Sequence, residues 1–359
     1  MAEIFLTIFF ISVLLFFLGS GIWVALSMIG VSAIGMMLFT SRPVGDAMAT
    51  TIWGTSSSWT LTALPLFVWM GEILFRTRLS ENLFKGLSPW MQKLPGGLIH
   101  VNVVGCALFA AISGSSAATV ATVGKMSIPE LRKRNYPEKI LLGSLAGSGT
   151  LGLLIPPSII LIIYGVAVQE SIAKLFIAGI LPGIMIALIF MSYVIFWSLI
   201  NKKQMPKIVE EYSIFEKIKR SKQLLPVIIL ISAVIGSIYT GIATATEAAS
   251  LGVVGALILS YFQKSLTLET FKTSLLGATK TSCMIAFILA GSTFLSLAMG
   301  FTGLPRNLAM WIQNMDLSPY VLIFVLMIFY IILGMFLDGI SAVVLTMAII
   351  EPMIRQAGF

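Results

Sequence analysis

Apolar residues run through this chain in long blocks separated by short charged ones, and the block lengths set the first expectation. A helix needs about 20 consecutive apolar residues to cross a hydrocarbon core. Stretches free of Asp, Glu, Lys and Arg reach that length at 4–41, 47–71, 94–124, 140–169, 175–201, 281–305 and 317–337, and at 223–263 if Glu247 is allowed as an interruption. The pattern predicts an all-α polytopic membrane protein with no soluble domain left over. Composition agrees: 58% of the 359 residues are hydrophobic, 11% are charged, and the mean hydropathy is +1.00. Soluble domains carry about 45–50% apolar and about 25% charged residues. The first run is too long for a cleaved signal peptide and starts after Glu3 rather than a basic flank, so it reads as mature structure.

Charge then orders the blocks. Lys and Arg collect in short cytoplasmic loops, and all but four of the 23 basic residues fall in 76–93, 125–139, 202–222 and 264–280. With these clusters cytoplasmic, the N-terminus is expected outside. The run 94–124 must then enter and leave on one face, as a re-entrant helical hairpin turning at Ile112-Ser113-Gly114-Ser115-Ser116-Ala117. Broken backbone at membrane depth is tolerated only inside protein or beside a watery cavity. The runs 4–41 and 223–263 become pairs of short spans. Topology thus accounts for the net charge of +8; a nucleic-acid partner, which would need a basic face on a folded domain, is not expected. Cys106 and Cys283 lie in apolar runs without CxxC spacing and suggest packing. Residues 202–222 mix charges with Ile208, Val209, Ile214, Phe215 and Ile218, as an amphipathic helix on the cytoplasmic surface would.

The chain also matches itself at an offset of 225 residues. Leu26/Leu251, Gly30/Gly255, Leu79/Leu304, Asn82/Asn307, Leu83/Leu308, Gly114/Gly339, Ser116/Ser341 and Ala117/Ala342 coincide, as do the apolar runs. The hairpin at 113–117 therefore gains a partner, Leu337-Asp338-Gly339-Ile340-Ser341-Ala342, whose acidic flanks Asp316 and Glu351 place its base outside. Inverted repeats with broken helices at a midplane site mark a secondary transporter. The expected layout is a first repeat over 1–200 (scaffold spans 4–75, hairpin 94–127, broken span 140–164, span 175–200), a linker helix at 201–222, and a second repeat over 223–359 with its hairpin at 317–352. Partners of 140–200 would fall at 365–425, beyond Phe359, so the second repeat is expected to be incomplete at its C-terminus and the sequence partial.

Four motifs resemble those of the large membrane subunit, of M or DctM type, of tripartite ATP-independent periplasmic (TRAP) transporters. They are Ala111 to Thr119, Gly147 to Gly152 with Leu154-Ile155-Pro156-Pro157-Ser158, Thr244 to Ala249 around Glu247, and Gly334 to Thr346 around Asp338-Gly339. The chain departs from the family in having Ala245 where proline is usual, and in lacking a second Pro-Pro-containing broken helix. The resemblance implies an elevator-type carrier of the bacterial inner membrane that imports an organic acid, such as a C4-dicarboxylate or sialic acid, with sodium ions and with no further cofactor. It also implies a periplasmic substrate-binding protein and a small four-helix membrane subunit as partners.

Sodium takes several oxygen ligands, which hydroxyls and unwound carbonyls supply within a membrane. Ser113, Gly114, Ser115 and Ser116 at one tip, faced by a break at Gly147, Ser148, Gly149, Thr150, Pro156 and Pro157, make one candidate site; close helix packing by small residues is the plainer reading. Asp338, with Gly339 and Ser341, makes the second, because a carboxylate at the bilayer centre costs about 2.5–3.5 kcal/mol and needs a partner; a helix cap is its plainer reading. Glu247 has no counterpart in the other half and suits a scaffold role. Glu72 lies near a membrane end, within reach of headgroups, and Trp53, Trp59, Trp69 and Trp90 read as interfacial anchors. His100 is a weak candidate for proton coupling. No GxxxxGK[ST] loop supports a primary pump, and Ser113–Ser116 lack the adjacent base of an intramembrane protease. A channel fits two inverted halves poorly. A stand-alone sodium-coupled anion carrier without a binding protein remains the alternative.

Overall fold

The computed structural model describes residues 2–77, 79–206, 212–222, 224–303, 307, 318–335 and 339–358, and among these it contains helices and no strand. The run 4–41 folds as α1 (Ala2–Gly19) and α2 (Val24–Phe39), parted at Gly21, whose φ of +79° suits glycine. There follow α3 (Val44–Ser56), α4 (Ala63–Phe75), α5 (Leu79–Met91), α6 (Ile99–Ser113), α7 (Ser116–Lys133), α8 (Glu138–Gly149), α9 (Ile159–Val168) and α10 (Ile172–Ile200). The second half holds α11 (Ile214–Ser221), α12 (Leu225–Tyr239), α13 (Ala245–Phe262), α14 (Leu268–Thr302), α15 (Pro319–Gly334) and α16 (Gly339–Gln356). Three of these, α10, α13 and α14, are each long and apolar enough to cross a membrane unaided.

Two basic segments read as loops are largely helix. Lys272 and Lys280 lie on α14, which runs on for 35 residues, and Lys85 lies on α5. Block length finds the apolar part of a helix and misses a polar turn that continues it, since Lys, Glu and Thr propagate a helix into water at little cost. The linker 201–222 supplies only a short 3-10 turn at Lys202–Gln204 and α11; Lys207, Ile208 and Val209 lie outside the described residues.

The chain divides into two compact units, residues 1–61, 163–170 and 283–359, and residues 62–162 and 171–282. In the first, α2 turns Gly35 against Phe10 of α1, where a Cβ would stand 2.6 Å from the ring, and Met36, Phe294 and Ala298 are buried together. The second is built the same way: a Cβ on Gly252 of α13 would lie 2.5 Å from the Met70 sulfur of α4, and one on Gly255 2.4 Å from Leu230 of α12. Between helices in lipid there is little hydrophobic drive, and close packing through small residues takes its place.

Candidate functional site

The site is built around the break between α6 and α7, within the second unit. Helix α6 ends because Gly114 takes the left-handed conformation (φ +57°), with its N–H still bonded to Ala110 O at 3.0 Å. Helix α7 restarts two residues later, its first turn capped by Ser115 Oγ, which accepts from Ala118 N at 3.4 Å. Gly114 satisfies two demands at once. Left-handed backbone costs a residue with a Cβ roughly 1–2 kcal/mol, and here that Cβ would stand 2.9 Å from Pro157 O and 3.0 Å from Ile159 N.

Three walls hold the tip. A Cβ on Gly71 of α4 would meet Ile112 O at 3.1 Å, and one on Gly152 would meet Ser115 C and O at 2.9 Å. The third wall is the Pro156-Pro157 segment, where Ile159 N donates to Gly114 O at 3.4 Å. Inside this clamp three oxygens converge. Ser113 Oγ and Thr119 Oγ1 are 2.9 Å apart, Thr119 Oγ1 donates to Ser115 O at 2.7 Å, and Ser113 Oγ lies 3.3 Å from the same carbonyl. Ser113 and Thr119 are buried, and Ser115 and Ser116 half-buried. Helix spacing selects Thr119, since the residue four on from Ser115 lies over its carbonyl; it belongs to the tip motif, yet the cluster of serines and glycines beside it drew attention away.

The facing break covers the later part of the expected stretch, Thr150 and Pro156-Pro157, but not its start. Gly147, Ser148 and Gly149 remain in α8, and the chain unwinds only beyond, through a 3-10 turn at Thr150–Leu153 and then 154–158, which contains the cis peptide Pro156-Pro157. Small residues here give closeness rather than a break: a Cβ on Gly149 would fall 2.0 Å from Val120 Cγ2 of α7. Ser148 donates to Ser144 O at 2.5 Å and lies 3.4 Å from Asn102 O, while Thr150 is exposed and donates to Gly147 O at 2.7 Å. Their hydroxyls thus serve their own helix, and the structure brings Gly152 and Pro157, rather than Ser148 and Thr150, to the tip. Ser158 Oγ donates to Leu153 O at 2.5 Å and braces the unwound loop.

The second candidate lies in the first unit. Asp338 is outside the described residues. Gly339 opens α16, Ser341 is buried, and Ser292 Oγ of α14 donates to Val344 O at 2.6 Å. Farther along α16, Thr346 shares a 2.6 Å hydrogen bond with Tyr330 of α15, and Arg355 pairs with Glu351 and, at 3.4 Å, with Glu170.

The remaining polar residues have structural partners. Glu247 accepts from Thr244 N and Oγ1, both at 2.8 Å, in a capping box that starts α13. Glu72 pairs with Arg76 at 2.9 Å and borders Gly277 of α14. Trp53 and Trp59 are exposed, but Trp69 is partly buried edge-on against Phe271, its N–H donating to Ser274 at 3.4 Å. His100 Nε2 lies 2.8 Å from Pro95 O. Thirteen residues of helix, at 1.5 Å each, keep it about 20 Å from Ser113. The tip therefore gathers oxygens of the kind a hard cation takes, and among the described residues no general base stands beside its hydroxyls. Among the described residues no three His, Cys, Asp or Glu side chains gather as a metal-binding group.

Comparison with known proteins places this architecture. The family profile described as "Tripartite ATP-independent periplasmic transporter, DctM component" matches residues 9–359. The C4-dicarboxylate TRAP transporter large permease protein DctM of Pseudomonas aeruginosa is 32% identical over 91% of this chain and 76% of its own length. The sialic acid TRAP transporter large permease protein SiaM of Vibrio cholerae is 30% identical over 94% and 79%. The isethionate TRAP transporter permease protein DctMQ of Oleidesulfovibrio alaskensis is 29% identical, and this chain covers 54% of it. The chain is an integral membrane protein of transport, not an enzyme, and it belongs to the TRAP transporter family as a DctM-type large permease subunit.

Proposed function

We propose that this subunit carries an organic acid across the bacterial inner membrane by sodium-coupled symport, with an elevator movement of its two inverted repeats and with its N-terminus periplasmic. The substrate class, a C4-dicarboxylate, a sialic acid or a similar acid, follows the relatives' names. A periplasmic binding protein delivers it, and a small four-helix membrane subunit, fused in relatives of the DctMQ kind, completes the membrane part. The observation that carries this reading is the convergence of Ser113 Oγ, Thr119 Oγ1 and Ser115 O at a helix break.

Rotation of the two hydroxyl hydrogens away from the shared centre turns three lone pairs on a sodium ion. The start of α7, with its free N–H groups and positive dipole end, then favours the carboxylate of the acid. Ion and substrate are mutually attractive there, which makes co-binding the basis of coupling. The clamp by Gly71, Gly152 and Pro157 holds the oxygens in place without the side chains themselves reaching the ion. Asp338, Gly339 and Ser341 form the second sodium site.

Uptake into vesicles holding this subunit with its membrane partner and binding protein tests the proposal. Saturable accumulation that collapses when the sodium gradient is removed is expected; accumulation unaffected by that removal overturns sodium coupling. Equal uptake without the binding protein would return the chain to a stand-alone anion carrier.

A further inference from the structure

A cavity of about 480 Å³, part of neither candidate site, opens in the second unit where the base of α6 meets the end of α10. Its polar lining comes from Gln92, Lys93, Tyr136 and Lys202, with the backbone of Gly96 and Gly97 between them. No Asp or Glu is among its described lining residues, and neither lysine is ion-paired to a described residue. Gln92 is 6% exposed, and its Nε2 has no hydrogen-bond partner among the described residues. That nitrogen has almost no accessible surface, so it lies behind the cavity wall and the donors open to the cavity are the two lysines and Tyr136. Tyr136 Oη accepts from Leu98 N at 3.0 Å, which leaves its own hydrogen to donate. Nearby, Arg134 is engaged by Glu130 at 2.9 Å. The carbonyl end of α10 is only partly capped, Trp197 O accepting from Asn201 N at 2.9 Å and from Asn201 Nδ2 at 3.0 Å, so the two lysines must outweigh the negative end of the helix.

The depth of the cavity is fixed by α10. Its 29 residues, mostly apolar but with Lys174 near the start, span about 43 Å, more than the roughly 30 Å hydrocarbon core, and the helix ends at Ile200, just before Lys202 and Lys203. The cavity mouth therefore sits in the headgroup layer. Leu199 and Met205 supply an apolar wall beside the polar donors. We propose that this pocket binds the phosphate of an anionic phospholipid headgroup, held by the Lys93 and Lys202 ammonium groups and the Tyr136 hydroxyl, with the start of an acyl chain along Leu199 and Met205. A free phosphate shares the polar chemistry, but it has no use for the apolar wall.

Native mass spectrometry of the purified full chain in detergent, titrated with phosphatidylglycerol and separately with phosphatidylcholine of the same chains, tests this. Phosphatidylglycerol is expected to bind preferentially. A lysine facing an anionic headgroup contributes about fivefold in binding, so Lys93→Gln and Lys202→Gln should each weaken it about fivefold and the double variant about 25-fold. Tyr136→Phe, which keeps both lysines and nearly the same side-chain volume, should also weaken it and reads the pocket even where the double variant is not recovered. Lys203→Gln, next in sequence but not lining the cavity, should stay within twofold of the parent. Equal binding of the two lipids, a Lys203→Gln loss as large as that of Lys202→Gln, or displacement of the lipid by equimolar inorganic phosphate would each overturn the assignment.

Discussion

At the first break, Ser113 and Thr119 set two hydroxyls against the Ser115 carbonyl; 225 residues on, the corresponding positions are Asp338 and Val344. Glycine is kept at Gly114 and Gly339, as is the serine two residues on, Ser116 and Ser341. What changes is the oxygen chemistry. The first tip spreads neutral oxygens over several residues and needs a clamp to aim them, whereas the second concentrates its oxygens, and a full charge, in one carboxylate. A neutral cage binds through geometry, and a carboxylate binds through charge. The two sites should therefore fail in different ways when altered.

The largest effect is expected from the clamp. Gly114→Val combines left-handed backbone with a side chain driven into Pro157 O, at about 2–5 kcal/mol from strain and overpacking, enough to abolish much of the folded yield. Gly241→Asn is the contrasting change, at φ +71° with nothing within 4 Å, and should leave the thermal midpoint within a few degrees. Similar midpoints for the two would dissolve the clamp.

Next comes charge against geometry. On the proposed second sodium site, Asp338→Ala removes the carboxylate ligand, and hydrogen bonds and contacts to charged groups contribute about 1.5–3 kcal/mol. Half-maximal uptake should then need about 10–100 times more sodium. Unchanged sodium dependence would remove Asp338 from the ion site. Ser113→Ala takes away one neutral oxygen, about 0.5–1.5 kcal/mol, and should raise the sodium requirement about two- to tenfold, as should Thr119→Val. The smallest effect is Ser115→Ala. It leaves the Ser115 carbonyl in place and deletes only the cap on Ala118 N, so stability should fall by about 1 kcal/mol while sodium dependence shifts less than twofold. A sodium effect at Ser115 as large as that at Ser113 would mean the hydroxyl, not the carbonyl, faces the ion.

Sequence alone determined that this is an all-helical membrane protein, because the need to bury about 20 apolar residues per crossing is written in block length and needs no partner to be read. It also located the first tip at Ser113–Ser116, since glycine between serines in an otherwise apolar run interrupts a helix wherever it occurs. Tertiary structure decided which oxygens meet. Ser148 and Thr150 look equivalent to Ser113 in sequence, yet both bond within their own helical turns, whereas Thr119 is brought onto Ser115 O by the restart of α7. Of the break expected over Gly147–Thr150 and Pro156-Pro157, the Gly147–Gly149 part stays helical, because glycine in a packed helix can serve as a contact surface, and whether it does depends on Val120 of another helix. Glu247 became a capping residue for the same reason: a carboxylate's role is set by the donors within reach, here Thr244 N and Oγ1. The phosphate-sized pocket at Gln92 was invisible in the sequence, because its lining comes from segments more than a hundred residues apart that only the packing of α6, α8 and α10 draws together.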